Sequence, residues 1–284
     1  MSTIYDVAII GGGPAGCSAA VNVIARGKTV VIVGNQIEDN PLYRTPQVDN
    51  YLGMGSVSGQ AMLEAFRANA LDAGAEWRAG RVISILESGD FYLGVGSEME
   101  CAKSLIVATG VIHARKLLGE MEYIGRGVSW CATCDGMLYR GKQVIVTGKA
   151  KNAAEEANFL EEIGCKVTFV SNARPEELKE SIPFIKEAKP EILGGQTVTG
   201  LRAGGETLPC DGVFILRESV APVDLLPELE LKDGYVVVNR AMATNLKGIF
   251  AAGDCTGKPL QVAKAVGEGL IAGQSAAEYV GALG

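Results

Sequence analysis

The chain is poor in histidine, in basic charge and in long apolar runs, and each shortage narrows the possible functions. His113 is the only histidine among 284 residues, which leaves few imidazole ligands for a zinc site. Lysine and arginine number 26 against 33 for aspartate and glutamate, which gives a net charge of −7 at pH 7. This acidic balance argues against a nucleic-acid-binding face. No apolar stretch reaches the roughly 18 residues of a membrane-spanning helix, so we expect no membrane partner.

The start of the chain and its cysteines indicate a cellular compartment. No basic segment followed by an apolar run stands at the start, so we expect no signal peptide. The seven cysteines are an odd number in a long chain, and they lack the spacing of a disulfide framework. We therefore expect a cytoplasmic protein in a reducing environment.

Glycine, by contrast, is abundant, and its 37 residues suit tight turns between strands and helices. Residues 7–10 are a short apolar run typical of a buried strand, residues 17–26 read as a helix and residues 29–33 as the next strand. A second strand–helix–strand unit is predicted over residues 143–170. The last strand and helix, within residues 249–279, are predicted to return to the first unit. The sequence thus predicts an α/β fold with two Rossmann-like, three-layer units of the nucleotide-binding type.

The turn after the first strand, Gly11-Gly12-Gly13-Pro14-Ala15-Gly16, is a dinucleotide fingerprint in the strand–turn–helix context that this motif requires. Gly11 allows the tight turn, Gly13 lets the backbone approach a pyrophosphate, and Gly16 allows the helix to pack closely on the strand. The helix N-terminus, which begins with Pro14 and Ala15, faces the phosphates. A glycine-rich turn without a ligand is the alternative, and the placement favours dinucleotide binding.

The second strand of the first unit ends without the acid that usually binds the ribose of a dinucleotide. The chain reads Val33-Gly34-Asn35 at this point. Asn35 is one candidate for the ribose contact, and Glu38, which could reach back, is the other.

Two cysteines separated by two residues, Cys131 and Cys134, carry the most informative chemistry of the chain. A disulfide between them would close a very short ring, and Cys-x-x-Cys pairs tend to have a lowered thiolate pKa, which favours exchange. Asp135 places a carboxyl group beside the sulfurs. Half a zinc site, buried structural thiols and a static disulfide are the alternatives. Redox exchange is favoured, because there is no second Cys-x-x-Cys and only His113 could add an imidazole ligand.

The order of these motifs resembles the low-molecular-weight thioredoxin reductases over nearly the whole chain. The segment of residues 127–136 is the most specific piece of the resemblance. The motifs that carry it are Gly11–Gly16, Val48-Asp49-Asn50-Tyr51, Ala108-Thr109-Gly110, Cys131–Cys134 and Gly253-Asp254.

The resemblance implies a flavoenzyme with FAD on the first domain and thioredoxin as its substrate. In that family the aspartate matching Asp254 contacts the ribityl–phosphate part of the flavin, and residues matching Gln261 and Val262 lie near the pyrimidine end of the ring. Asn50 matches an asparagine beside the flavin. The motifs of the resemblance also nominate FAD-binding residues, which are Gly11, Gly13, Pro14, Ala15, Gly16, Asn35, Asn50, Ala108, Thr109, Gly110, Gly253, Asp254, Gln261 and Val262.

For the dithiol, the resemblance implies that Cys134 faces the flavin, that Cys131 attacks the disulfide of the partner, and that Asp135 protonates the leaving thiolate. It also implies a homodimer whose FAD domain, residues 1–112 and 240–284, is interrupted by a central disulfide-bearing domain, residues 113–239.

The resemblance fails at the second nucleotide unit, which binds NADPH in that family. Ala150 stands where the family has a pyrophosphate-binding glycine, so a methyl group points into that space. The family's His-Arg-Arg cluster, whose arginines hold the 2′-phosphate, is replaced by Ser171-Asn172-Ala173, and Arg174 is the only guanidinium nearby. Lys149 and Lys151 are the remaining charges that would attract a phosphate. The departures predict a degenerate NADPH-type site.

Without nicotinamide another electron donor is required, and an isoalloxazine ring accepts electrons one or two at a time. A small group of similar reductases that also lack the NADPH signatures takes electrons from ferredoxin, which we therefore expect as the donor. Because ferredoxins are acidic, we expect a local basic patch despite the net charge of −7. The candidates are Arg115, Lys116, Arg126, Arg140, Lys142, Lys149 and Lys151.

Three other functions remain open on the sequence. One is a reductase that uses NAD(P)H through atypical contacts, and another is a flavin-dependent dithiol oxidase that passes electrons to oxygen. The third is a non-catalytic flavin-binding or partner-binding scaffold, against which the Cys131, Cys134 and Asp135 trio argues.

Overall fold

The computed structural model describes residues 3–111, 116–148, 153–217 and 221–283. These residues form two compact units, one from the described parts of 1–113 and 219–284, the other from those of 114–218. We refer to the first as the flavin-type unit and to the second as the disulfide unit. Within the described ranges, no helix is long and apolar enough to cross a membrane.

The flavin-type unit is built on a sheet of the order β3-β2-β1-β6-β5-β4. Its centre is parallel and buried on both faces, which explains the continuous apolar runs of β1, β2 and β6. Strands β4, β5 and β6 form an antiparallel meander. The elements are β1 (Ile4–Ile10), α1 (Pro14–Ile24), β2 (Val30–Gly34), α2 (Gly59–Asp72), β3 (Glu76–Ala79), β4 (Val82–Ser88), β5 (Asp90–Val95) and β6 (Glu98–Val107).

The disulfide unit has a parallel sheet of the order β10-β9-β8-β14-β7 and a separate antiparallel sheet of the order β11-β12-β13. Helix α5 packs on the parallel sheet through Ala153, Ala157 and Leu160. The elements are α3 (Glu120–Tyr123), β7 (Val128–Ser129), α4 (Ala132–Asp135), β8 (Gln143–Gly148), α5 (Ala153–Glu162), β9 (Lys166–Ser171), β10 (Phe184–Lys186), β11 (Glu191–Gly194), β12 (Val198–Ala203), β13 (Glu206–Pro209) and β14 (Gly212–Leu216).

The chain then returns to the flavin-type unit, as the sequence predicted. Strand β17 pairs in parallel with β6, Ile249 opposite Leu105, and α7 packs on α1 through small residues such as Ala272 and Ala276. The elements are α6 (Pro222–Leu225), β15 (Leu231–Lys232), β16 (Tyr235–Val236), β17 (Ile249–Ala251) and α7 (Val262–Gly281). The α/β class with parallel sheets is confirmed.

One boundary differs from the expectation. Residues 221–239, which we assigned to the central domain, belong to the flavin-type unit. The reason is local packing, because α6 contacts β4 and β16 contacts the turn at Asp254–Thr256. The side chain of Asn245 also accepts a hydrogen bond from the Glu230 N–H at 2.9 Å.

Candidate functional site

The fingerprint turn links the end of β1 to the start of α1. Two of its glycines are required because neighbouring backbone atoms leave no room for a side chain. Gly11 has φ of +115°, and a Cβ there would lie 2.3 Å from the Ala108 carbonyl oxygen. A Cβ on Gly16 would lie 1.9 Å from the Gly11 carbonyl oxygen. Gly13 is the N-cap of α1 and has no side chain with which to cap the helix. The helix N-terminus is therefore left for a ligand with negative charge.

The Ala108–Gly110 and Gly253–Asp254 motifs lie against the same turn. The Ala108 N–H donates to the Ile10 carbonyl at 2.8 Å, and the Ala252 N–H donates to the Val107 carbonyl at 2.9 Å. A Cβ on Gly253 would lie 2.8 Å from the Ala15 Cβ. The carboxyl ends of β1, β6 and β17 thus meet where open α/β sheets bind their ligands.

The turn that carries Asp254 is held by an ion pair on α7. Glu268 Oε2 accepts the Gly253 N–H at 2.9 Å, and Lys264 Nζ donates to the Gly253 carbonyl at 2.8 Å. Lys264 and Glu268 are themselves 3.0 Å apart. Burial raises the pKa of the Asp254 carboxyl above its ordinary value; the Lys264 ammonium opposes this rise and Glu268 adds to it. These bonds fix the backbone of Gly253, the residue before Asp254.

Asn50 and Gln261, far apart in the chain, are brought together. Asn50 Nδ2 donates to Gln261 Oε1 at 2.8 Å. Val262 follows Gln261 as the first residue of α7. Asn35 stands directly after β2. Asn35 lies near the fingerprint turn, because a Cβ on the preceding Gly34 would lie 3.0 Å from the Gly12 nitrogen.

Two features of the flavin-type unit are consistent with a bound FAD. The Thr109 hydroxyl oxygen is buried and has no hydrogen-bond partner among the described residues, although buried polar atoms are normally paired. At Gly13 a Cβ would meet within 4 Å only the side-chain nitrogen of Asn40, at 3.1 Å, so space adjoins the uncapped start of α1.

In the disulfide unit, Cys131 and Cys134 form a disulfide with their Cα atoms 5.4 Å apart. Cys131 is the N-cap of α4, and its sulfur accepts the Cys134 N–H at 3.1 Å. Cys131 is 6% exposed, whereas Cys134 is exposed. The predicted pair is therefore covalently joined, with Cys131 a buried residue and Cys134 an exposed one.

The acid next to the disulfide is held by a serine. Ser129 Oγ donates to Asp135 Oδ2 at 2.6 Å and accepts the Cys131 N–H at 3.1 Å. Glu156 Oε2 accepts the Ala132 N–H at 3.1 Å, at the first residue of α4. Strand β7 and helix α5 thereby fix the cysteine loop from two sides.

A buried ion pair, Glu120 with Arg217, contacts Trp130, the residue that precedes Cys131. Glu120, with no exposed surface, accepts from Arg217 at 2.5 and 2.6 Å and from Trp130 Nε1 at 3.0 Å. Burial opposes ionisation of Glu120, but hydrogen bonds from Arg217, the Leu117 N–H and Trp130 prevail and hold its pKa below the ordinary value.

The other five cysteines are buried thiols. Burial raises the pKa of Cys17, Cys210 and Cys255 to about 12. Burial also raises the pKa of Cys101 and Cys165 above the ordinary value. Protonated, buried thiols are poor nucleophiles, which is consistent with packing roles.

The turn of the second nucleotide-type unit is described in part, because Lys149, Ala150, Lys151 and Asn152 lie outside the described residues, as do His113 and Arg115. At the end of β9, Ser171 Oγ donates to the Gly148 carbonyl at 3.2 Å. Arg174 donates to the Ile182 and Lys179 carbonyls, at 3.2 and 2.8 Å. Its guanidinium group is thus engaged by the backbone of the following loop.

The surface around the disulfide is apolar and basic. Met137 and Leu138 are 59% and 70% exposed, and Arg140 and Lys142 are exposed beside them. Lys142 Nζ lies 5.3 Å from the centre of the Tyr139 ring. Farther along the predicted basic patch, Arg126 donates to the Glu122 and Gln196 carbonyls.

A dinucleotide-type site on one α/β unit and a Cys-x-x-Cys disulfide on the other define a nucleotide-binding disulfide oxidoreductase. The chain belongs to the pyridine nucleotide-disulphide oxidoreductase family, whose model matches residues 5–269. Members bind FAD, and this protein is a flavoprotein with FAD as its cofactor, acting on disulfides.

Individual relatives resemble the chain over almost its full length. A thioredoxin reductase of Listeria monocytogenes is 36% identical, covering 98% of this chain and 94% of the relative. The ferredoxin-flavin thioredoxin reductase of Clostridium acetobutylicum is 39% identical with a TM-score of 0.90, covering 99% of both chains. The thioredoxin reductase of Lactococcus lactis is 30% identical with a TM-score of 0.57, covering 98% of this chain and 99% of that one.

Several residues at these sites escaped the sequence reasoning. They are Asn40 beside Gly13, Lys264 and Glu268 around Gly253, and Ser129, Glu120 and Glu156 around the disulfide. Ser129 stands within the specific segment of residues 127–136, so its hydroxyl was the one available signal. The others lie outside the recognised motifs, 10 to 27 positions from the residues that they contact, where no motif marks them.

Proposed function

We propose that this protein is a thioredoxin reductase that receives electrons from ferredoxin and passes them through FAD and the Cys131–Cys134 dithiol to the disulfide of thioredoxin. The observation that carries the choice of donor is the end of β9. Ser171-Asn172-Ala173 offers no cation for a 2′-phosphate, and the donors of Arg174 point to backbone carbonyls.

The similarity to named proteins supports both halves of the proposal. The Listeria and Lactococcus relatives carry the name thioredoxin reductase. The Clostridium protein, named ferredoxin-flavin thioredoxin reductase, is the most identical of the three, at 39%. An NADPH-dependent reductase remains the second candidate, because the NADPH-type fold of β8, α5 and β9 is retained.

The FAD site that we propose uses the groups around the fingerprint turn. The backbone of Gly11, Gly13, Pro14, Ala15 and Gly16 would bind the pyrophosphate, and Asp254, with Gly253, the ribityl–phosphate part. Asn50, Gln261 and Val262 would lie by the isoalloxazine ring, Ala108–Gly110 beneath the cofactor and Asn35 by the ribose. When bound, FAD supplies a centre that takes up electrons singly and delivers them in pairs.

The chemistry at the dithiol follows from the two sulfurs and the acid. Two electrons cleave the Cys131–Cys134 disulfide, and of the two protons taken up one converts Cys134 to a thiol and the other resides on Asp135, so that Cys131 stays a thiolate. The Cys131 thiolate then attacks the disulfide of thioredoxin, one thioredoxin sulfur leaves, and Asp135 supplies its proton. Cys134 then attacks the mixed disulfide and passes its proton to the second thioredoxin sulfur, which restores the Cys131–Cys134 bond and releases reduced thioredoxin.

Accessibility sets a condition on these roles. Cys131 is 6% exposed in the oxidised protein, so its attack on thioredoxin requires that reduction makes the sulfur accessible. The exposed Met137 and Leu138 lie next to α4 and would form the apolar surface that thioredoxin contacts. Arg140 and Lys142 would attract an acidic ferredoxin.

An anaerobic titration of the purified protein tests the donor. NADPH, NADH and chemically reduced ferredoxin are added in turn, and the flavin absorbance and the thiols of added thioredoxin are measured. We expect bleaching and thioredoxin reduction with ferredoxin alone. Rapid bleaching at micromolar NADPH would overturn the choice of donor, and oxygen consumption with a dithiol would favour an oxidase.

Cys134→Ser provides the matched control. In this variant ferredoxin should still bleach the flavin, but thioredoxin should accumulate as a stable mixed disulfide with Cys131. A mixed disulfide trapped in Cys131→Ser instead would reverse the assigned roles.

The homodimer stays a prediction, and sedimentation of the holoenzyme would measure it.

A further inference from the structure

Thr133 lies between the two cysteines, on α4, and its side chain contacts one of the sulfurs. Thr133 Oγ1 is 3.3 Å from Cys131 Sγ. A disulfide sulfur carries no hydrogen and can only accept, so the threonine hydroxyl is the donor of this bond. The dithiol chemistry described so far uses the two sulfurs and Asp135, and it leaves this hydroxyl without a role.

Cys131 Sγ accepts a second hydrogen bond, from the Cys134 N–H at 3.1 Å. Two donors therefore converge on the sulfur that attacks thioredoxin in the proposed reaction. A thiolate is a stronger acceptor than a disulfide sulfur, because a hydrogen bond to an ionised group is shorter and stronger than one between neutral groups. Hydrogen bonds to the charged form favour that form, and the thiolate is the form that attacks.

The loop that carries the two donors is held by contacts other than the bond between the sulfurs. The Cys131 N–H donates to Ser129 Oγ at 3.1 Å, and the Ala132 N–H donates to Glu156 Oε2 at 3.1 Å. The Ala132 side chain has no exposed surface and belongs to the core beneath α5. We therefore expect both donors to stay beside Cys131 when the disulfide is reduced.

We propose that Thr133 is a further catalytic residue of the exchange reaction, whose hydroxyl, together with the Cys134 N–H, donates a hydrogen bond to the Cys131 thiolate. The inference rests on the role proposed above for Cys131 and is independent of the electron donor. Cys131 Sγ forms a bond to one thioredoxin sulfur, and the other leaves with the electron pair of the broken bond and takes a proton from Asp135. Because negative charge leaves Cys131 in this step, the Thr133 bond increases the amount of thiolate but lowers the reactivity of each thiolate.

Thr133→Val tests the hydroxyl in the full-length protein with FAD bound, because valine keeps the size and the branch at Cβ. The variant is made in a Cys134→Ser background, in which Cys131 is a free thiol and the five other cysteines are buried. Ionisation of Cys131 is followed by the ultraviolet absorbance of the thiolate, with Cys131→Ser in the same background as the blank. We expect Thr133→Val to raise the midpoint of this titration by about one pH unit, through the loss of one hydrogen bond to the charged sulfur.

The rate of Cys131 alkylation by iodoacetamide, measured by mass spectrometry, is the second readout. Well below the midpoint, Thr133→Val should react about threefold more slowly, because less thiolate is present. Well above the midpoint, where both proteins are ionised, it should react about threefold faster, because its thiolate is more basic. A change in packing that merely covers or exposes the sulfur would alter the rate in one direction at every pH.

Two matched variants serve as controls. Thr133→Ser retains the hydroxyl and should titrate as the Cys134→Ser parent does, and so should Thr207→Val, at an exposed threonine on β13. An unchanged midpoint in Thr133→Val would overturn the proposal, as would an equal rise in Thr133→Ser or a rate change of one sign at every pH. Failure of the wild type to reduce thioredoxin would instead contradict the proposed function, because the titration reports on the sulfur alone.

Discussion

At the scale of single residues, hydrogen bonds hold the side chains and backbone around the disulfide in place. Ser129 holds Asp135 at 2.6 Å and the Cys131 N–H at 3.1 Å. Glu156 holds the start of α4. A proton donor must be oriented within hydrogen-bond reach of the leaving group to be effective, and here a neighbouring hydroxyl supplies that orientation.

Ser129→Ala should slow thioredoxin reduction about tenfold, because Asp135 loses the donor that aims its carboxyl group. The rate of flavin reduction by the electron donor should be unchanged. Stopped-flow measurement of both steps checks this. Added to Asp135→Asn, the serine change should cause little further loss; fully additive losses would mean that Ser129 does not act through Asp135.

Glu120→Gln should destabilise the disulfide unit by about 3 kcal/mol, because Arg217 is left without its buried counter-charge. Urea unfolding, followed by Trp130 fluorescence in a Trp77→Phe background, measures the loss. Glu122→Gln, on the exposed side of the same helix α3, serves as the control and should change stability little.

The lowered pKa of Glu120 predicts that the unfolding free energy depends on pH. The folded pKa of Glu120 is lowered from 4.5, so its stabilising contribution is present above pH 4.5 and is lost as the pH falls through the lowered folded value. The difference in unfolding free energy between wild type and Glu120→Gln should therefore shrink when the pH is lowered below 4.5. A difference that is constant with pH would contradict the charged state of Glu120.

At the scale of elements, the start of α1 decides whether the flavin-type unit can bind a dinucleotide. Gly16 is required by packing, because a side chain there would meet the Gly11 carbonyl oxygen at 1.9 Å. Gly13 is different, since a Cβ would meet only the flexible end of Asn40 at 3.1 Å. Gly16 thus serves packing, whereas Gly13 is adjoined by the space in which we propose that the pyrophosphate binds.

Gly13→Ala should fold normally and bind FAD at least about tenfold more weakly, because the methyl group enters the space of the pyrophosphate. Circular dichroism and the ratio of flavin to protein absorbance measure the two effects. Gly27→Ala is the control; its open site should leave FAD binding unchanged and cost about 1 kcal/mol through its positive φ. Normal FAD binding by Gly13→Ala would contradict the proposed pyrophosphate site.

At the scale of the whole molecule, the chain consists of two compact units with one tryptophan each, Trp77 and Trp130. FAD is proposed to bind one unit and the redox disulfide belongs to the other. A ligand that binds a folded unit stabilises that unit in proportion to the logarithm of its concentration over its Kd. The tryptophans therefore allow each unit to be observed alone.

Excess FAD should raise the melting temperature reported by Trp77 in Trp130→Phe and leave that reported by Trp130 in Trp77→Phe nearly unchanged. Reduction of the Cys131–Cys134 bond should affect only the Trp130 signal. Differential scanning fluorimetry of the full-length variants checks both. Equal shifts of the two signals with FAD would show that the units unfold as one.

Much of this protein was readable from local patterns. Continuous apolar strands next to glycine turns predicted both nucleotide-type units, and the spacing of Cys131 and Cys134 predicted the disulfide that the structure contains. The boundary predicted at 239 differs from the division in the structure, because α6 contacts β4 and β16 contacts the Asp254 turn of the flavin-type unit. The contact between α6 and β4 joins residues more than a hundred positions apart, which no local pattern reveals.

The sequence by itself determined the class of protein, since fingerprint glycines and paired thiols carry their chemistry in residue type and short spacing. It also showed that the arginines of an NADPH site are missing. Only the tertiary structure decided which groups support that chemistry, among them Asn50 with Gln261, Glu120 with Arg217, and Trp77 against Gly12. The physical reason is that hydrogen bonds and packing act over a few ångströms in space, and chain folding alone sets which distant residues come that close.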